Sequence, residues 1–143
     1  MMRCASEQFA SRASTSGAAA WVYQFQHLFS DSFLFAKFGL PTICVTEVCH
    51  GSELPFVFDN DLHAALNTSF TPEEDILATQ MGTYWCNFAK TGNPNVGTPG
   101  AVSLPTWPAW NDTSRLNLAL NTTILVESSE ALCSFWDEIG YDH

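Results

Sequence analysis

The chain has 143 residues, the size of one ordinary domain, of which 46% are hydrophobic and 14% charged. That balance excludes intrinsic disorder, which requires low hydrophobicity and high charge. With five Lys+Arg against fifteen Asp+Glu the net charge is -10. So few cations exclude a nucleic-acid partner, because a phosphate backbone is held by Lys and Arg, and they disfavour an anionic membrane surface.

No run of the sequence approaches the ~18 apolar residues of a membrane span. The opening Met1-Met2-Arg3-Cys4-Ala5 lacks the apolar core of a signal peptide. Three Asn-x-Ser/Thr triplets, at Asn67, Asn111 and Asn121, together with the acidic, lysine-poor composition, point instead towards an extracellular protein. Five cysteines make an odd count, so at least one is unpaired if the rest form bridges.

In chain order, a helix is predicted around Glu7 to Ser14. Trp21 to His27 is the strongest strand signal, with Trp21, Tyr23 and Phe25 alternating against Val22, Gln24 and Gln26. Phe29 to Leu40 reads as an aromatic loop, and Ile43 to Val48 as a short extended piece leading into Cys49-His50-Gly51. The clearest helix starts at Thr71-Pro72-Glu73-Glu74, where Thr71 caps, Pro72 suits the first turn and Glu74 completes a capping box. Leu77, Met81, Tyr84 and Phe88 recur as one buried face. Lys90, Gly92 and Pro94 then end the helix. Asn93 to Asn111 is a Gly-, Pro- and Trp-rich loop. Leu116, Leu118 and Leu120 alternate, and Ile124-Leu125-Val126 follows, giving two short strands. Glu130 to Ile139 reads as a closing helix with Leu132, Phe135 and Trp136 apolar.

Among the four histidines, His27, His63 and His143 take structural or terminal readings. His50 stands apart because Gly51 lets the chain turn sharply beneath it and Glu53 follows three residues on. Spacing alone still favours a structurally hydrogen-bonded ring. Cys44 and Cys49 lack the second ligand pair that zinc needs, so no metal is expected, and no haem or other cofactor. Either a local disulfide or two free thiols fits them. The phosphate loop, the G-x-G-x-x-G fingerprint and the G-x-S-x-G nucleophile elbow are all absent from the 143 residues.

Four ordered blocks carry a resemblance: Val48-Cys49-His50-Gly51-Ser52-Glu53-Leu54-Pro55-Phe56-Val57-Phe58, then Tyr84-Trp85-Cys86-Asn87-Phe88-Ala89-Lys90-Thr91-Gly92-Asn93-Pro94-Asn95, then Trp107-Pro108-Ala109-Trp110, and last Cys133-Ser134-Phe135-Trp136. In this order they resemble the C-terminal portion of type-B carboxylesterases, the cholinesterase-like branch of the α/β-hydrolases. The strand Val22-Tyr23-Gln24-Phe25 also falls where that family has one.

The resemblance implies an α/β fold in which residues 1–143 form one C-terminal segment, an incomplete sheet with flanking helices. It implies a Ser-Glu/Asp-His ester hydrolase in which His50 matches the general base and Glu53 an acid beside it. The triad order Ser, acid, His places the nucleophile and the triad acid upstream of anything present, so the chain is expected to be roughly the last quarter of such an enzyme and inactive alone. It further implies a long-range Cys4–Cys133 disulfide; beside it, a local Cys44–Cys49 bridge and a buried free thiol at Cys86 are expected. Phe29, Phe33, Phe35 and Phe38 fall in a segment that in relatives borders the substrate gorge, or form a plain loop. The expected partners are a small-molecule carboxylic ester and the N-terminal part of the hydrolase. The full-length parent is expected to be secreted. The competing expectation is a non-catalytic relative serving adhesion or binding, and a plainer one is a truncated product with no separate role.

Overall fold

The computed structural model describes residues 2–32, 39, 41–60, 68–97, 103–128 and 133. Expectations for Phe33, Phe35, Phe38, His63, Asn67, Ser134, His143 and the closing helix over Glu130 to Ile139, Cys133 excepted, lie outside the described residues. The chain divides into two compact units, the first formed by Met1–Gln24, Trp107–Ala119 and Ile124–His143, the second by Phe25–Thr106 and Leu120–Thr123.

The first unit opens with helix α1, Met2–Thr15. Cys4, Glu7 and Ala10 recur every three residues and are its buried stripe. Arg3 pairs with Glu7 one turn on, at 3.0 Å. The helix stops at Gly17, whose φ of +84° only glycine adopts freely. There the Ala18 N–H donates to Ala13 O and the Gly17 N–H to Ser14 O, a doubly bonded C-terminal cap. The predicted helix from Glu7 thus starts five residues earlier.

The described residues form a three-stranded sheet in the order β1 (Tyr23–Phe25), β2 (Leu116–Leu120), β3 (Leu125–Ser128). It is mixed: β2 and β3 are antiparallel, with Leu116 opposite Ser128 and Ala119 opposite Leu125, and β1 runs parallel to β2. As the central strand, β2 buries Asn117, Leu118, Ala119 and Leu120 in succession, where the sequence suggested burial of alternate leucines alone. Both expected C-terminal strands are present. The strand expected over Trp21 to His27 is shorter, although the Leu118 N–H also bonds Val22 O just before it.

The Trp-Pro-Ala-Trp block fastens this unit. Trp107 donates its indole N–H to Val22 O at 3.0 Å and meets Tyr23 edge to face. Trp110 reaches Ser11 Oγ on α1 and Asp112 Oδ1. The Cys4–Cys133 disulfide is formed, with Cα atoms 5.3 Å apart.

In the second unit, α2 spans Leu54–Val57 and α3 spans Pro72–Thr91. The predicted cap of α3 is present in both directions: Glu74 N–H donates to Thr71 Oγ1, and Thr71 N–H donates to Glu74 Oε2. Gly92, at φ +74°, ends the helix. The buried face is Glu74, Leu77, Ala78, Met81, Tyr84 and Asn87. Tyr84 donates its hydroxyl to Pro105 O, and burial pushes that phenol up to about 12.

Two expectations on α3 are corrected. Phe88 is 49% exposed, because the chain folds back after Gly92 and occupies the adjoining slot with Asn87, whose amide donates to Pro94 O at 3.1 Å. A Cβ at Gly97 would collide with that amide, so the turn closes over Asn87 only with glycine there. Cys86 is a free thiol but exposed, since two residues past Tyr84 is a helical rotation of about 200°, onto the opposite face.

The extended piece expected from Ile43 is a 3-10 turn, Thr42–Val45. The Cys44–Cys49 disulfide, with Cα atoms 5.4 Å apart, explains the difference. Five extended residues would carry the two ends about 16 Å apart, so a bridge across them requires a turn.

Candidate functional site

His50 sits at the tip of a turn built from both sides. Upstream, the Cys44–Cys49 bridge ties its neighbour to the 3-10 turn. Downstream, Cys49 N–H donates to Ser52 Oγ at 3.1 Å while Ser52 N–H returns a bond to Cys49 O. Gly51 stands at φ +86°, the left-handed conformation the sequence required beneath the histidine. Leu54 N–H bonds Gly51 O, passing the turn directly into α2. Every backbone bond here lies within a few residues, so the local sequence suffices to project the ring.

His50 itself is exposed. Glu53 is the half-buried residue preceding α2, and its side chain makes no cap hydrogen bond. Among the described residues no side-chain hydrogen bond joins Glu53 to His50, so the two are neighbours on one turn and not a bonded pair. The Ser52 hydroxyl is buried and engaged with the Cys49 amide. Among the described residues no group of three His, Cys, Asp or Glu gathers as a metal site, and both cysteines upstream of the turn are oxidised.

Behind this turn lies an aromatic cluster. Phe56 of α2, 0% exposed, stacks on Phe70 at 4.8 Å between ring centroids and meets Phe25, Phe29 and His27 at 5.3, 5.9 and 5.3 Å. Phe29 is packed in this core, 1% exposed, where the sequence offered a gorge-border residue or a plain loop.

The sequence did not reveal what His27 does. Its Nε2 lies 2.9 Å from Glu74 Oε1 and its Nδ1 3.0 Å from Asn121 Oδ1. Glu74 also accepts Ser30 N–H at Oε1 and Ser30 Oγ–H at Oε2, besides its capping bond from Thr71. Burial pushes the Glu74 carboxyl up, but the hydrogen bonds from His27, Thr71 and Ser30 outweigh it and hold the group below the ordinary carboxylate value. The partners are 47 and 94 positions from His27. The capping box was the only sequence signal touching this network, and it named Glu74 for a different bond.

The profile of the Carboxylesterase family matches residues 1–136. The chain belongs to the carboxylesterase family. That family is built on the α/β-hydrolase fold, and the three-stranded mixed sheet with its helices is a partial version of it. Among similar proteins, acetylcholinesterase of Electrophorus electricus is 33% identical over 132 residues, 90% of this chain and 19% of that protein. Acetylcholinesterase of Danio rerio is 37% identical over 108 residues, 75% of this chain and 16% of its own length. Carboxylesterase 4A of Bos taurus is 30% identical over 125 residues, 87% of this chain and 20% of its own. This carboxylesterase-family chain thus spans about a fifth of the length of these relatives. Among its described residues no helix is long and apolar enough to cross a membrane.

Proposed function

We propose that the chain is the histidine-bearing segment of a carboxylic ester hydrolase and that His50 is its general base. The observation that carries this is the placement of an exposed imidazole at the tip of a turn closed by a disulfide and a left-handed glycine, inside the family-matched segment. In an acyl-transfer cycle His50 takes the proton of a serine hydroxyl as it attacks the ester carbonyl, then returns it to the departing alcohol. Glu53, three residues on in the same turn, is the acid beside that base.

The nucleophile, the triad acid and the oxyanion donors belong to another part of such a domain, since no G-x-S-x-G occurs in these 143 residues. The apolar residues around the turn support that arrangement: Leu54 is 51% and Phe58 72% exposed, surface suited to being covered by the remainder of a hydrolase domain. The substrate class is a small-molecule carboxylic ester, and the working enzyme is secreted. Of the two described glycosylation triplets, Asn111 is the acceptor. Its side chain is exposed and its oxygen orders the following turn through Thr113 N–H, whereas Asn121 is half-buried and bonded to His27 and to Gln26 O.

The test is aryl-ester hydrolysis. The purified chain is expected to match a His50→Ala control. Combined with the upstream portion of a carboxylesterase domain it gains activity that His50→Ala abolishes. A complex that forms but hydrolyses nothing, with either residue at position 50, overturns the catalytic reading and favours a binding role.

A further inference from the structure

The ring of His27 meets two oxygens that can only accept. At Nδ1 the neighbour is Asn121 Oδ1, and the orientation of that amide is fixed independently: Thr122 N–H donates to the same oxygen at 2.8 Å, while Asn121 Nδ2 faces Gln26 O. Reversing the amide would turn an NH2 group towards the Thr122 N–H and an oxygen towards the Gln26 carbonyl, two repulsive contacts in place of two bonds. At Nε2 the neighbour is Glu74 Oε1, which also accepts from Ser30 N–H. Oε2 accepts from Thr71 N–H and from Ser30 Oγ–H. Ser30 N–H, Ser30 Oγ–H and Thr71 N–H thus hold Glu74 in its carboxylate form and leave the lone pair that faces His27 to be met by a donor. Either neutral tautomer of the ring would set a bare nitrogen lone pair against an oxygen lone pair at about 3 Å.

We propose that His27 is held as a doubly protonated imidazolium, a fixed, partly buried cation whose two N–H groups bridge the Glu74 carboxylate and the Asn121 amide. Glu74 is 1% and His27 13% exposed at the side chain, so the two charges neutralise each other where water does not. The ring's other contacts are the edge-to-face neighbours Phe25 and Phe56, which leaves Glu74 as the titratable group facing it among the described residues. The pair joins the residues after β1, the first turn of α3 and the turn at Asn121, and its Phe56 contact reaches α2 just beyond the His50 turn. His27 holds this role whether or not His50 acts as a base.

The test is a long-range 1H–15N spectrum of the histidine rings in the uniformly labelled full chain at pH 7.5, with H27Q identifying the signal and the exposed His50 ring as a reference. Two protonated ring nitrogens at His27 are expected. One protonated and one bare nitrogen in the wild-type chain overturns the proposal, and that spectrum suffices even if a variant fails to fold. In E74Q, loss of one of the two ring N–H groups is expected. A His27 ring that stays doubly protonated in folded E74Q refutes the carboxylate as the source of the charge.

Discussion

Phe56→Ala is the sharpest test of the packing behind the His50 turn. Phe56 is 0% exposed and its ring is surrounded by Phe25, His27, Phe29 and Phe70. Returning a buried Phe side chain to water forfeits roughly 2 kcal/mol of transfer free energy. Truncation also leaves a cavity of up to ~100 Å³ which, at about 24 cal/mol per Å³, adds as much as ~2.4 kcal/mol where the walls stay put. The four surrounding rings come from two stretches of chain, residues 25–29 and Phe70, and the packing of each on the other limits collapse, so a loss of about 4 kcal/mol is expected. Phe58, two residues on and 72% exposed, supplies the control: Phe58→Ala should stay within about 0.5 kcal/mol of wild type. Urea unfolding followed by far-ultraviolet circular dichroism, at constant m-value, measures both. A Phe56→Ala loss below about 1 kcal/mol, or a Phe58→Ala loss as large as that of Phe56→Ala, refutes the reasoning.

The two disulfides are expected to differ in weight. Cys4–Cys133 closes a loop with a separation of 129 residues and Cys44–Cys49 one of 5, so chain entropy assigns them about 5 and about 2 kcal/mol respectively. Paired Cys→Ser variants under denaturant should fall in that order, and the reverse order refutes the entropic account. Because the Glu74 carboxyl is held below its unfolded value of 4.5, its contribution is complete above that pH and is lost as pH falls below it. Stability measured from pH 7 down to 3 should therefore decline less steeply in Glu74→Gln than in wild type, and parallel curves would contradict this. For glycosylation, Asn111→Gln is expected to remove an endoglycosidase-sensitive band shift in chain routed through a secretory pathway. Asn121→Gln should leave that shift in place but lower the melting temperature; loss of the shift in Asn121→Gln alone overturns the assignment.

Local signals were legible where the physics is local. The Thr71–Glu74 cap, the Gly92 stop and the glycine under His50 are each settled by bonds or backbone angles within a few residues, and each appears as read. The family resemblance named the Cys4–Cys133 bridge, and the spacing of Cys44 and Cys49 offered a local one; the structure forms both. Readings that failed depended on what packs from elsewhere. Periodicity put Phe88 in the core, but the return of the chain over Asn87 gave that slot to the amide. Cys86 was assigned to the interior although its helical angle sets it opposite Tyr84. The piece from Ile43 has β-branched residues that suit a strand, and closure of a short disulfide loop prevailed over that propensity.

The sequence by itself determined the family, the capped helix, the two C-terminal strands and the turn that projects His50, because composition, capping and glycine geometry act over short stretches. Only the tertiary structure decided that β2 is the central strand and that successive residues on both of its faces are buried. It alone joined His27, Glu74 and Asn121, which no spacing relates. A hydrogen bond needs atoms within about 3 Å, and for residues 47 and 94 positions apart that proximity exists only once the chain has folded.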